Sequence, residues 1–105
     1  MKKPPAVKYH DDLMRSLQNS EEASAYLNAA LEEGDKDFFL QALRDVLEAQ
    51  GGMTRLARAT KLNRVSIYKM LGAKGNPAFS NILRLMKAAG VRFSVSPEKT
   101  QRKAA

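Results

Sequence analysis

The chain has 105 residues, 44% of them hydrophobic, which suffices for one modest core and argues against a large multidomain enzyme. Its formal net charge of +7 is unevenly placed: residues 1–50 carry six Lys/Arg against ten Asp/Glu, and residues 51–105 carry twelve against one. The absence of cysteine excludes disulfides and thiolate metal sites, no apolar run approaches the ~18 residues of a membrane span, and Lys2-Lys3-Pro4-Pro5 has no hydrophobic stretch behind it to resemble a signal peptide, so a cytoplasmic protein is expected.

In chain order, residues 1–18 read as a flexible N-terminal segment, extended around Pro4-Pro5, with a short helical turn over His10–Leu17. A firm helix is expected after Asn19, its N-cap, with Glu21 and Glu22 in the positive first turn and Ala23, Tyr26, Leu27, Ala30 and Leu31 as an apolar stripe ending at Gly34. Asp35 caps the next, where Phe38, Phe39, Ala42, Leu43, Val46 and Leu47 form a wide apolar face that stops at Gly51-Gly52.

Two short helical patterns follow with only a tight turn between them. Thr54 is the expected cap of the first, which buries Leu56 and Ala57; Asn63 caps the second, where Ile67, Met70 and Leu71 share a face and Arg64, Val65, Ser66, Tyr68 and Lys69 project elsewhere. A last helix is expected with Asn76 as N-cap and Pro77 at its first position, with Phe79, Ile82, Leu83, Leu85 and Met86 as its apolar residues and its end at Gly90. Val91, Phe93 and Val95 alternate with Arg92 and Ser94 as one short strand, expected to pair with the same strand of a second subunit because a lone strand needs an edge. Residues 96–105, with Lys99, Arg102 and Lys103, read as a disordered basic tail. The expected fold is all-α, a four- to five-helix domain over residues 19–95 with that strand at its end.

A helix-turn-helix needs a small residue where its helices cross, apolar anchors for the second helix, and polar or cationic residues at that helix's N-terminal end. Ala57, then Leu62 and Ile67, then Asn63, Arg64, Ser66, Tyr68 and Lys69 meet these requirements, and they lie in the basic half of the chain. In this reading Arg64 and Ser66 read base edges with Tyr68 or Lys69 assisting, while Thr54, Arg55, Lys61, Asn63, Lys74 and Asn76 hold phosphates and fix register. Each role has a plainer counterpart: Arg64 as a solvated cation, Ser66 as a local capping residue, Tyr68 packed on the Lys74–Pro77 loop. His10 has no second ligand at metal spacing, no nucleophile has a base partner and no glycine-rich phosphate loop is present, so neither metal, cofactor nor enzymatic activity is expected.

The stretch from Gly52 to Arg58, then Leu62–Leu71 and Gly75-Asn76-Pro77-Ala78-Phe79, together with Ala25–Asp35 upstream, resembles the addiction-module antidote proteins, bacterial antitoxins with a helix-turn-helix of the Cro/repressor (XRE-like) type. The likeness spans roughly residues 20 to 95 and implies a lambda-repressor-like helix-turn-helix domain. It implies a DNA-binding antitoxin that neutralises a small ribonuclease-like toxin and represses its own operon, with its operator DNA, the cognate toxin and a second copy of itself as partners. Lys61 departs from the pattern, standing where the turn commonly carries glycine; a left-handed backbone there costs on the order of 1 kcal/mol for a residue with a Cβ. A free-standing repressor without a toxin, and a protein-interaction module that does not bind DNA, remain the alternative readings.

Overall fold

The computed structural model describes residues 5–98. Among them there are six helices and no strand: α1 Pro5–Ser16, α2 Ser20–Glu32, α3 Lys36–Ala49, α4 Gly52–Thr60, α5 Arg64–Met70 and α6 Phe79–Ala88. The chain is therefore all-helical, with six helices where four or five were expected.

The extra helix is α1. Pro5 stands at its first position, where the missing N–H has no intrahelical partner to lose. Leu13 and Met14 pack half-buried against the core, and Leu17, just past the helix, is fully buried. Gln50 Nε2 donates to the Leu17 carbonyl at 3.2 Å, which ties this corner to the end of α3.

Local chemistry sets α2 and α3 as expected. The Asn19 side chain accepts from the N–H groups of Glu21 (2.8 Å) and Glu22 (3.0 Å), and Asp35 accepts from Asp37 at 3.0 Å. On α3 the residues Phe39, Leu40, Ala42, Leu43, Val46 and Leu47 are all buried, a stripe wide enough to pack against α1, α2, α4 and α6 together. This makes α3 the pillar of the core. Leu31, Phe38, Phe79 and Leu83, read above as apolar residues of their helices, stand exposed.

Two helix starts fall elsewhere than expected. Gly51, with φ of 123°, is the N-cap of α4 and supplies no side-chain bond, so Thr54 lies inside the helix as its third residue and caps nothing. Helix α6 starts at Phe79 with Ala78 as its extended N-cap, and Asn76 and Pro77 belong to the preceding loop. That loop is held from outside, because Lys36 Nζ donates to the Gly75 carbonyl at 2.7 Å. At Gly75 a Cβ would collide with the Met70 carbonyl, so only glycine passes so close to α5.

The expected strand over Val91–Val95 does not form among the described residues. Among the described residues such a segment has no neighbour to share a hydrogen-bond ladder with. Its alternation is nevertheless used: Val91 and Phe93 turn to the core, Arg92 and Ser94 to solvent, and the Phe93 ring meets Phe79 edge-on at 5.5 Å between centroids. Val95 is exposed. The expected tail residues Lys99, Arg102 and Lys103, and Met1–Pro4, lie outside the described residues.

Candidate functional site

The helices α4 and α5 are joined by the three residues Lys61, Leu62 and Asn63, and the turn is built by interlocking polar contacts. Buried Thr60 donates through its hydroxyl to the Leu56 carbonyl (2.8 Å) and accepts from the Leu62 N–H (3.2 Å). Lys61 ends α4 in the left-handed region, φ 62° and ψ 18°, with its N–H on the Ala57 carbonyl; among the described residues it is the one non-glycine with positive φ. Asn63 then restarts the helix, its side chain accepting from the Ser66 N–H at 2.8 Å.

Below this turn the second helix is anchored firmly. Ile67 is completely buried and Leu71 nearly so, while Leu62, Ala57 and Met70 pack half-buried against the core. Truncation of a side chain like Ile67 costs roughly 2–5 kcal/mol, so the helix cannot rotate about its axis without a large penalty. At the far end Arg44 Nη2, from α3, donates to the Leu71 carbonyl at 2.6 Å and holds the last turn of α5. The pair Lys36 and Arg44 thus fixes the exit of α5 from one side.

What remains outward on α5 is a small, defined face. Arg64, Val65, Tyr68 and Lys69 are exposed, at spacings of three and four residues that bring them side by side. Ser66 lies half-buried at the edge of this face. Tyr68 borders a cavity of about 420 Å³ between α3, α4 and α5, with Arg44, Glu48 and Met53 among its other walls.

The expected phosphate-binding residues are exposed but not equally free. Thr54, Lys61, Asn63, Lys74 and Asn76 are all exposed, Lys61 and Asn63 in the turn itself and Lys74 and Asn76 in the loop after α5. Arg55 is exposed too but partly committed, with Nη1 donating to the Ala88 carbonyl at 3.1 Å at the end of α6. Val91, Phe93 and Val95 are remote in role: two are packed inward within this chain and the third is free.

The electrostatics are one-sided. From Gly51 to Pro97 there is no Asp or Glu, and among the described residues no cation of α4 or α5 is paired with a carboxylate. The ion pairs lie in the other half, as His10 with Glu48, Arg15 with Asp12 and Lys36 with Asp37. Also in that half, half-buried Tyr26 donates to Asp45 at 2.7 Å; burial first, and then the Asp45 hydrogen bond and charge, push its phenol far above the ordinary range. No group of His, Asp and Glu among the described residues is disposed to hold a metal, and no helix there is long and apolar enough to cross a membrane.

Sequence reasoning missed Thr60, Lys36, Arg44 and Gly75 as supports of the site. Arg44 carried a legible signal, since it falls between Leu40 and Leu47 at helical spacing on the apolar face of α3, where a cation needs a partner. The contacts of Lys36 and Gly75 span 39 residues and left no local trace.

A family model described as "Probable addiction module antidote protein" matches residues 8–97. A protein of Haemophilus influenzae (strain ATCC 51907 / DSM 11121 / KW20 / Rd), described as "Uncharacterized protein", is 34% identical over 88 residues, covering 84% of this chain and 90% of that one. No solved structure matches.

Proposed function

The chain belongs to the addiction module antidote family, and on that premise we propose that it is a DNA-binding antitoxin that neutralises a small ribonuclease-like toxin and represses its own operon. The observation that carries the DNA-binding part is the outward face of α5, where Arg64, Val65, Tyr68 and Lys69 stand exposed above a fully buried Ile67 on a stretch of sequence, Gly51–Pro97, without carboxylates. A rigidly seated short helix with a cationic outer face suits the major groove.

In this reading α4, the turn and α5 act as a helix-turn-helix of the lambda-repressor kind. Arg64 offers a bidentate fork to guanine O6 and N7, Tyr68 and Lys69 contact neighbouring bases, and the Ser66 hydroxyl works at the groove edge. Thr54, Arg55, Lys61, Asn63, Lys74 and Asn76 hold the phosphates on either side. A homodimer presents two such helices to half-sites about one DNA turn, ~34 Å, apart. Pairing of the 91–95 segments is supported by their backbone, which from Arg92 onward makes no backbone hydrogen bond among the described residues. The acid-rich half, with Glu21, Glu22, Glu32 and Glu33 exposed on α2 and at its end, is left to meet the basic toxin. The protein works in the cytoplasm, without a cofactor and without catalysis of its own.

Two measurements test this. Fluorescence anisotropy with the duplex upstream of the protein's own coding sequence, against a scrambled duplex, is expected to show preference for the native sequence and affinity falling steeply with salt. Expression of the neighbouring coding sequence is expected to arrest growth, and coexpression of this chain to relieve it. Equal weak binding to both duplexes sinks the repressor assignment; absence of relief sinks the antitoxin assignment.

A further inference from the structure

The α5 surface holds one residue that neither the fold nor the charge pattern explains. Val65 is 64% exposed and Tyr68, one turn on, 59% exposed, so the centre of a cationic face is apolar. A β-branched residue in a seven-residue helix is also a poor local choice, because it restricts side-chain rotamers against the preceding turn. Ile67, its neighbour two residues on, is β-branched as well but is fully buried and justified by packing. Val65 has no such return within this chain.

We propose that Val65, with the Tyr68 ring beside it, reads the C5-methyl group of a thymine next to the base contacted by Arg64. The inference rests on the DNA-binding reading above and adds to it a specificity-determining residue and the base it selects. In the major groove thymine is the one base that presents a methyl group, and an apolar side chain is the partner that gains from covering it. Three observations place Val65 for this role. It is exposed with Arg64 in the first turn of α5, and Tyr68 is a surface neighbour of both, four residues after Arg64 and three after Val65. Burial of Ile67 and Leu71, with the Arg44 contact at the helix end, fixes which way that face points. Lys61, Arg64 and Lys69, all exposed on α5 or in the turn before it, put positive charge on the same element, which matches a polyanion and opposes a purely apolar protein partner.

The test selects duplexes from a pool with a randomised core, using the full-length protein, and then remakes the winning duplex with deoxyuridine in place of thymine, one position at a time. Uracil keeps every hydrogen-bonding group and lacks only the methyl. Loss of a methyl-sized contact, at ~0.8 kcal/mol, corresponds to about a four-fold weakening. Wild-type protein is expected to show that weakening at one thymine per half-site. The Val65→Ala variant, whose helix propensity is higher and whose fold is checked by circular dichroism, is expected to bind thymine and uracil duplexes alike, and Val65→Ile to restore the difference. Selection of a defined sequence without any uracil-sensitive position, or an unchanged uracil effect in Val65→Ala, overturns the assignment of Val65 while leaving DNA recognition standing. Failure of the wild-type protein to select any sequence overturns both.

Discussion

Lys61 offers a direct check on how the turn between α4 and α5 is built. Its φ of 62° places a residue with a Cβ in the left-handed region, where L-residues cost roughly 1–2 kcal/mol relative to the right-handed one. Replacement by glycine removes that strain, but the unfolded chain gains freedom worth about 0.5–1 kcal/mol, so the net expectation for Lys61→Gly is a stabilisation of about 0.5–1 kcal/mol. For a domain of this size that is a rise in Tm of roughly 2–8 °C. The assay is urea unfolding followed by far-ultraviolet circular dichroism, with the midpoint rising and the slope unchanged. Lys61→Ala keeps the Cβ and removes the charge, so it is expected to match the wild type in stability. A destabilised Lys61→Gly, or equal gains in glycine and alanine variants, would refute the left-handed turn. The same two variants separate conformation from charge on DNA: if Lys61 touches phosphate, both lower the salt slope by about 0.9, whatever their stabilities.

Asn63→Ala removes the acceptor for the Ser66 N–H and is expected to cost about 1 kcal/mol in urea unfolding, with Asn63→Asp recovering most of it. Arg44→Met keeps the apolar stem but leaves the Leu71 carbonyl without its donor; a loss of about 1 kcal/mol is expected, with amide hydrogen exchange accelerated selectively in α5. Tyr26 is protonated in the folded state well above the pH at which a free phenol ionises, so the stability it contributes is complete below pH ~10 and declines as pH rises beyond that value. Against the wild type, Tyr26→Phe is therefore expected to be less stable at neutral pH, and the gap to narrow above pH ~10; a constant gap across that window would show that the Tyr26–Asp45 hydrogen bond is not linked to folding.

Much of this arrangement was legible in the sequence because it is local. Asn19, Asp35 and Asn63 announce three helix starts by side-chain chemistry that acts within three residues, and the wide apolar stripe of α3 names the core pillar. The outer face of α5 followed from the same periodicity. Misreadings arose where a local signal competed with a distant one. Thr54 looks like a cap, but Gly51 turns the chain earlier; Asn76-Pro77 looks like a helix start, but the tie from Lys36 to Gly75 holds that stretch as a loop. Pro4-Pro5 reads as a helix breaker, whereas Pro5 opens α1. The Val91–Val95 alternation marked Val91 and Phe93 as inward and Arg92 and Ser94 as outward, but it failed at Val95, which is exposed, and alternation alone cannot supply the neighbour that a strand requires. The tie that steadies α5 from α3 was half legible: a cation on the apolar face of α3 asks for a partner, but nothing in a sequence window names the Leu71 carbonyl, 27 residues from Arg44, as that partner.

The central claim is that the outer face of α5 is where this antidote-family protein meets DNA. Chemical-shift mapping of the isotope-labelled full-length protein, titrated with the duplex upstream of its own coding sequence, tests it most directly. The account predicts the largest shifts at Lys61–Lys69 and at Lys74–Asn76, with α2 unmoved. Shifts concentrated on α2 or α3, or spread evenly over every exposed lysine and arginine, would contradict it.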